Sequence, residues 1–243
     1  MLVLLPPSET KAAGGDGPPL RLGALSHRDL TLTRRTLVDE LVALATDVPA
    51  ALAALGLSPR QTAEVARNAE LPDAPTLPAL RRYTGVLYDA LDVPSLRRGE
   101  RARAGARLAV ASALFGLLGG DDPVPAYRLS AGSTLPGLGT VRSVWRPVLT
   151  PLLAGVDTLV VDLRSTPYAA LAPVPGAVTV RVLTEHSRAT VSHCNKAHKG
   201  RLARLLACAP REPTTVEGAA RIARRGGLSV ERSGDHALDV LAP

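Results

Sequence analysis

A chain of 243 residues, 46% of them hydrophobic, holds enough Leu, Val and Ala to bury a sizeable core; that excludes disorder along its whole length and leaves one large domain or two small ones open. Aromatic residues make up only 2%, so the core is aliphatic. The formal charge of +7 and pI of about 10.1 favour anionic partners such as nucleic acid, nucleotides or acidic membrane surfaces, with a generically basic surface as the plain alternative.

Residues 2–5 are wholly apolar and stop at Pro6-Pro7, the pattern of a buried strand that ends at a functional edge. With no basic leader and no small-residue cleavage site, this start reads as a strand and not as a signal peptide. Positions 8–19 are rich in breakers and polar groups, a flexible segment hung from the strand end. Residues 30–55 carry apolar positions at helical spacing, with Thr33 as an N-cap candidate. Gly56-Leu57-Ser58-Pro59 breaks that helix, and Ser58 followed by Pro59 suits the cap and first turn of a second one running to about Ala69. The pair is a helix-turn-helix or helix-hairpin-helix candidate, or two ordinary core helices joined by a glycine turn.

Three prolines make 71–78 a linker. The stretches 80–91, 97–118 and 143–154 read as helix, strand-like core or mixtures. The longest apolar run, 108–118, falls well below the roughly 20 residues of a membrane span, so no bilayer crossing is expected. Residues 158–163 and 177–183 are short buried strands, 190–193 is a third, and a helix follows over about 197–207. The last strand, 228–232, pairs with 237–241 across Gly234-Asp235. Strands interspersed with helices predict an α/β fold with a mixed β-sheet and surrounding helices.

Two cysteines, Cys194 and Cys208, are too few for a disulfide framework and match no zinc spacing, which fits a reducing, cytoplasmic setting. The histidines show no metal-ligand spacing beyond the loose group His193, Cys194 and His198. No metal site or cofactor is expected, and no nucleophile elbow, Walker loop or dinucleotide fingerprint appears.

The 29 basic residues include only three lysines, Lys11, Lys196 and Lys199. Where arginine serves as the ordinary solvated cation, surviving lysines mark places that need a compact ammonium. A helix starting near Lys196 presents Lys196, Lys199 and Arg204 on part of one face with free N–H donors, which suits a phosphate; a solvated basic face is the alternative. Tyr127-Arg128 follows the breaker-rich 119–125 stretch and is equipped to stack a base and clamp a phosphate, or Arg128 pairs structurally with Asp121 or Asp122. Asp162-Leu163-Arg164-Ser165 closes the clearest strand, where open α/β sheets collect ligands; an Arg164–Asp162 tie is equally consistent.

Taken in order, these segments resemble the YaaA peroxide-stress protein family along nearly the whole chain. Leu4-Leu5-Pro6-Pro7-Ser8-Glu9-Thr10-Lys11 is similar to that family's N-terminal Ser-Pro-Ala-Lys-Thr element. Tyr83-Thr84-Gly85-Val86-Leu87-Tyr88 is similar to its G-x-V-Y-x-G-L region, and Ser112 to Leu118 followed by Tyr127-Arg128-Leu129 to its S-x-L-Y-G-x-L … Y-R-L centre. Val144-Trp145, Val161-Asp162-Leu163-Arg164-Ser165 and the segment from Ser192 to Arg204 match further steps, and each lysine falls inside one of these motifs. Pro167 before Tyr168, and Asp235-His236-Ala237-Leu238-Asp239 in place of an acidic, aromatic C-terminal segment, depart from the pattern.

The resemblance implies one α/β domain over 1–243 with a helical insertion at about 30–105, a basic cleft, and binding of double-stranded or irregular DNA through that cleft and a helix-hairpin-helix-like element. It also implies a link to oxidative stress and iron homeostasis. The leading expectation is a peroxide-stress protein that binds DNA without sequence preference through Lys11, Tyr127, Arg128, Arg164, Ser165, Ser192, Lys196, Lys199 and Arg204. The second is an enzyme acting on a nucleotide, nucleobase or other small anionic substrate in a Lys, Arg and Tyr-lined pocket. A plain interaction module is the third. No catalytic residue is assigned at this level.

Overall fold

The computed structural model describes residues 1–184 and 195–242. Its main sheet has seven strands: Leu2–Leu5 (β1), Leu108–Ser112 (β2), Gly116–Gly119 (β3), Val160–Asp162 (β4), Val178–Thr184 (β5), Ser229–Gly234 (β6) and Ala237–Ala242 (β7). They lie side by side in the order β6-β7-β5-β4-β1-β2-β3. The middle five run parallel, and an antiparallel strand closes each edge, β6 on β7 and β3 on β2. Val3, Leu4 and Leu5 and all of β2 are buried, as parallel strands covered on both faces require. The mixed sheet expected from the sequence is therefore the sheet observed.

The larger helices are Thr31–Leu44 (α1), Val48–Leu55 (α2), Thr62–Ala69 (α3), Val86–Leu91 (α4), Arg98–Arg107 (α5), Val141–Ala154 (α6), Asn195–Cys208 (α7) and Val216–Arg225 (α8). The single helix expected over 30–55 is two. Asp47 accepts the Ala50 N–H at 3.1 Å as the cap of α2, and Pro49 in the first turn has no N–H with which to continue α1. Gly56, with φ 64°, then ends α2, and Ser58 and Gln61 form a capping box ahead of α3 with Pro59 at its first position.

The stretch 71–78, expected as a linker, contains the strand Pro75–Pro78, which pairs with Gly17–Pro19 and Pro123–Val124 in a small separate sheet. The strand lies between its two partners, and its prolines, Pro75 and Pro78, stand at its two ends, where they interrupt the short ladder least. The ambiguous 108–118 run is the β2–β3 hairpin. Gly116 sits at φ 73°, where a Cβ would come within 2.6 Å of the Trp145 ring. The Trp145 indole N–H donates to Ala113 O at 2.7 Å and seats α6 on the hairpin.

Connectivity sets the place for a site. From β1 the chain passes through α1 to α5 and returns as β2 on one side; from β4 it returns as β5 on the other. Strand order thus reverses between β1 and β4, and open parallel sheets take up ligands beyond the C-terminal ends of the strands at such a reversal. Helix α7 packs on β1 and β5 and also touches α4, α5 and α8.

Candidate functional site

A cleft of about 790 Å³ opens at that reversal. Its walls are residues 6–11 after β1, 84–88 at the start of α4, 128–132, 164–168 after β4, and Asn195, Lys196 and Lys199 on the first turns of α7.

Pro6-Pro7 stops the β1 ladder, and the chain then folds back on itself. Ser8 Oγ donates to Thr10 O and accepts the Thr84 N–H at 3.0 Å, while Thr84 Oγ1 donates to Thr10 Oγ1 at 3.1 Å. Lys11 bridges Tyr83 in antiparallel fashion. Its Nζ donates to Ser8 O at 3.1 Å and Glu9 O at 3.2 Å, and stands 4.3 Å above the centroid of the Tyr127 ring. Two carbonyls and a π face favour the ammonium. Burial, reinforced by Arg128, outweighs them and holds the Lys11 pKa down at about 7; Arg67 adds to the lowering, and Glu64 and Glu9 oppose it.

This has a consequence for stability. Between about pH 7 and the ordinary lysine value of 10.5, the unfolded chain holds a proton on Lys11 that the folded chain has released, so unfolding free energy gains a positive pH slope from this residue. Urea unfolding of the wild type and Lys11→Met across that window is expected to show the slope in the first and a flatter one in the second; equal slopes would contradict the assignment.

All four tyrosines of the chain gather here. The Tyr127 hydroxyl bonds the Tyr83 hydroxyl at 2.9 Å and Ser112 Oγ at 2.8 Å, and Ser112 Oγ accepts the Phe115 N–H. Tyr83 stacks on Tyr88, whose hydroxyl donates to Pro6 O at 2.8 Å. Burial pushes all four phenols, Tyr168 included, far above their usual range and keeps them neutral. Tyr127 is only 1% exposed, with Lys11 over its face and Phe115 edge-on. It lies beneath Lys11, outside the cleft lining, and presents no free face on which a base can stack. The sequence placed it on a surface loop; the two hydroxyl partners waiting inside draw it inward.

Arg128 lines the cleft with its backbone clamped by Asn68, whose Oδ1 accepts the Arg128 N–H at 2.8 Å and whose Nδ2 donates to Arg128 O at 2.9 Å. Its side chain lies 3.6 Å from Glu9. Asp122 is occupied elsewhere, accepting from Ser26 and the Gly119 N–H. Arg164 makes the fork to Asp162, at 2.9 and 2.7 Å, and also donates to Ala172 O at 3.1 Å, so it ties the strand end to the following turn. Ser165 stands at the N-cap position of the one-turn helix Thr166–Ala169 at the cleft wall, with no cap hydrogen bond from its side chain.

Lys199 reaches Leu163 O at 3.4 Å; burial lowers its pKa and Asp162 opposes this. Lys196 is exposed at the mouth. Arg204 stands away from the cleft lining, bound to Leu91 O, Asp92 O and Ser95 Oγ at 2.7 to 2.8 Å, where it fastens α7 to the end of α4. Ser192, with the strand expected over 190–193, lies outside the described residues. The structure thus brings Lys11, Arg128, Arg164, Ser165, Lys196 and Lys199 to one cleft.

Sequence reasoning missed Asn195, whose Oδ1 is buried without a hydrogen-bond partner among the described residues, and the polar wall made by Thr10, Thr84 and Ser130. Thr84 was within reach, since 83–88 stood out as a motif; Asn195 gave no signal beyond its place beside Lys196. Among the described residues no group of three or more His, Cys, Asp or Glu is placed to hold a metal ion, and no helix is long and apolar enough to cross a membrane.

The chain matches the model of the family described as peroxide stress protein YaaA over residues 1–231. It is 49% identical to a UPF0246 protein of Corynebacterium efficiens, over 95% of each chain. It is 45% identical to one of Corynebacterium glutamicum, over 97% of each, and 47% identical to one of Streptomyces coelicolor, over 91% of this chain and 89% of the relative. With both the family match and these relatives running nearly end to end, the chain belongs to the peroxide stress protein YaaA family.

Proposed function

We propose that this YaaA family member binds, and acts on, a small anionic molecule of the nucleotide or nucleobase class in the cleft between the ends of β1 and β4. The observation that carries the reading is convergence: Lys11, Arg128, Lys196 and Lys199 line one cleft of about 790 Å³, a size suited to a small ligand. Glu9 is the one acid in that lining among the described residues, and it is largely exposed.

DNA binding has less support. Tyr127 offers no free ring face, and Arg204 is committed to Leu91, Asp92 and Ser95. In the hairpin, the Gly56 and Leu57 N–H groups return to Ala53 O and Leu52 O, and the Ser58 N–H is taken by Gln61. Pro59 has no N–H, so these four residues present no spare donor to a phosphate.

Calorimetric titration with AMP and with inorganic phosphate, beside duplex and bubble DNA over a salt series, tests the choice. AMP is expected to bind, and Lys196→Ala/Lys199→Ala to weaken it at least about tenfold, since each charge-assisted contact contributes about 1.5–3 kcal/mol. Absence of AMP binding, together with DNA binding that falls steeply with salt and is lost in the double variant, would overturn the reading in favour of DNA.

A further inference from the structure

We propose that the Lys11 amine is a covalent nucleophile that condenses with the carbonyl carbon of a small anionic aldehyde or ketone held in this cleft. The inference rests on the anion-binding part of the reading above and adds that the substrate carries a free carbonyl group, which AMP lacks.

Lys11 differs from the other cleft cations in what surrounds its nitrogen. Its partners are two neutral backbone carbonyls, Ser8 O at 3.1 Å and Glu9 O at 3.2 Å, and the face of Tyr127. Among the described residues no carboxylate forms an ion pair with it; the Glu9 carboxylate turns to Arg128 instead, at 3.6 Å. Two protons of the amine are thus directed at carbonyls, and the remaining tetrahedral position holds either a third proton or the lone pair. Losing that third proton leaves both hydrogen bonds in place, whereas a salt-bridged lysine would forfeit its partner. A desolvated lysine beside another cation is the arrangement that keeps an amine neutral and reactive near neutrality. The charged and titratable groups around it are Arg128, Arg67, Glu64, Glu9, Tyr83 and Tyr127, with burial the dominant influence.

The chemistry balances without an oxidant or reductant. The Nζ lone pair forms the new C–N bond while the carbonyl π pair moves to oxygen; the nitrogen then gives up one proton and the oxygen takes one, leaving a neutral carbinolamine. A second proton from solvent converts that hydroxyl to a water leaving group, and the recovered nitrogen pair forms C=N as the water departs. The resulting iminium keeps one N–H for one of the two carbonyls, and its charge stays over the Tyr127 ring. The anionic end of the substrate meets Arg128, Lys196 and Lys199 across the cleft.

The test exposes the full chain to pyridoxal 5′-phosphate, a small aldehyde that carries a phosphate, traps any imine with borohydride, and maps the modified peptides by mass. Lys11 is expected to be labelled ahead of Lys196 and Lys199, with labelling half-maximal near pH 7. Pyridoxal without the phosphate is expected to label about tenfold less, and inorganic phosphate to protect. Lys11→Arg removes the label; because the wild-type map needs no variant, a poorly folded variant leaves the test intact. Label on Lys196 or Lys199 with Lys11 unmodified overturns the nucleophile and spares the anion site. Lys11 labelled equally by pyridoxal, with no protection by phosphate, overturns the anion site instead.

Discussion

Replacing Arg82 by methionine is expected to destabilise the fold by about 3–5 kcal/mol, because several buried carbonyls lose a charged donor at once. Arg82 is fully buried, yet it sits on a helix of only four residues, Ala79–Arg82. Its Nε donates to Val124 O at 2.9 Å, its Nη2 to Gly14 O at 2.8 Å and Pro75 O at 3.0 Å, and its Nη1 to Ala12 O. Burial lowers its pKa to about 10, which still leaves it charged at neutrality. Methionine fills much of the volume but leaves four carbonyls without that donor, at about 1–3 kcal/mol for each that finds no other.

Two of those carbonyls, on Ala12 and Gly14, belong to the segment that begins with Lys11, so the loss reaches the cleft. For a chain of this size about 2–4 °C of melting temperature accompanies each kcal/mol; a drop of about 10 °C in Tm and weakened AMP binding are expected together. A Tm close to that of the wild type would show that the four carbonyls find other donors.

Gly200→Ala is the second variant with a large expected effect, and its sign is informative. On an exposed helix, exchanging glycine for alanine stabilises by about 1 kcal/mol. Here the added Cβ would come to 2.1 Å from Leu87 O and 2.9 Å from Ala90 Cβ, contacts on the backbone and side chain of α4. A carbonyl in a helix cannot step aside as a flexible side chain can, so α7 must lift off α4. Overpacking of this kind costs about 1–3 kcal/mol. The two helices carry opposite walls of the cleft, Lys196 and Lys199 on one, Val86 to Tyr88 on the other. Net destabilisation with at least about tenfold weaker AMP binding is expected, read by thermal unfolding and calorimetry. Stabilisation would mean that α7 and α4 pack less closely than described.

Elements with a strong local signature were legible in the sequence. The apolar run of β1 closed by two prolines, the short strands β4 and β5, the β6–β7 hairpin over Gly234-Asp235 and the cap at Ser58-Pro59 all stand close to where the spacing placed them. The break at Asp47 was missed because helical periodicity runs on through it. The strand Pro75–Pro78 was missed because its three neighbouring prolines argue for a loop, and only pairing with two other short segments makes it a strand.

The site divided in the same way. Scarcity of lysine pointed to Lys11, Lys196 and Lys199 before any geometry, and all three line one cleft. The roles of Arg34 and Tyr127 were not legible, since each depends on groups far off in the chain: Arg34 is buried against Phe115 O and Leu117 O, more than 80 residues away, and Tyr127 meets Tyr83, 44 residues away, beneath Lys11. The Arg164–Asp162 tie spans two residues and was one of the two readings the sequence left open.

By itself, the sequence determined the α/β class and the family and singled out three lysines, because periodicity, capping and composition act over a few residues and are written locally. Tertiary structure alone decided where the strand order reverses, which arginines serve carbonyls and not ligands, and that Tyr127 is buried beneath Lys11 and not open for stacking. Those outcomes turn on hydrogen-bond partners supplied across the fold, and a buried polar group takes whichever partner the packing brings to it.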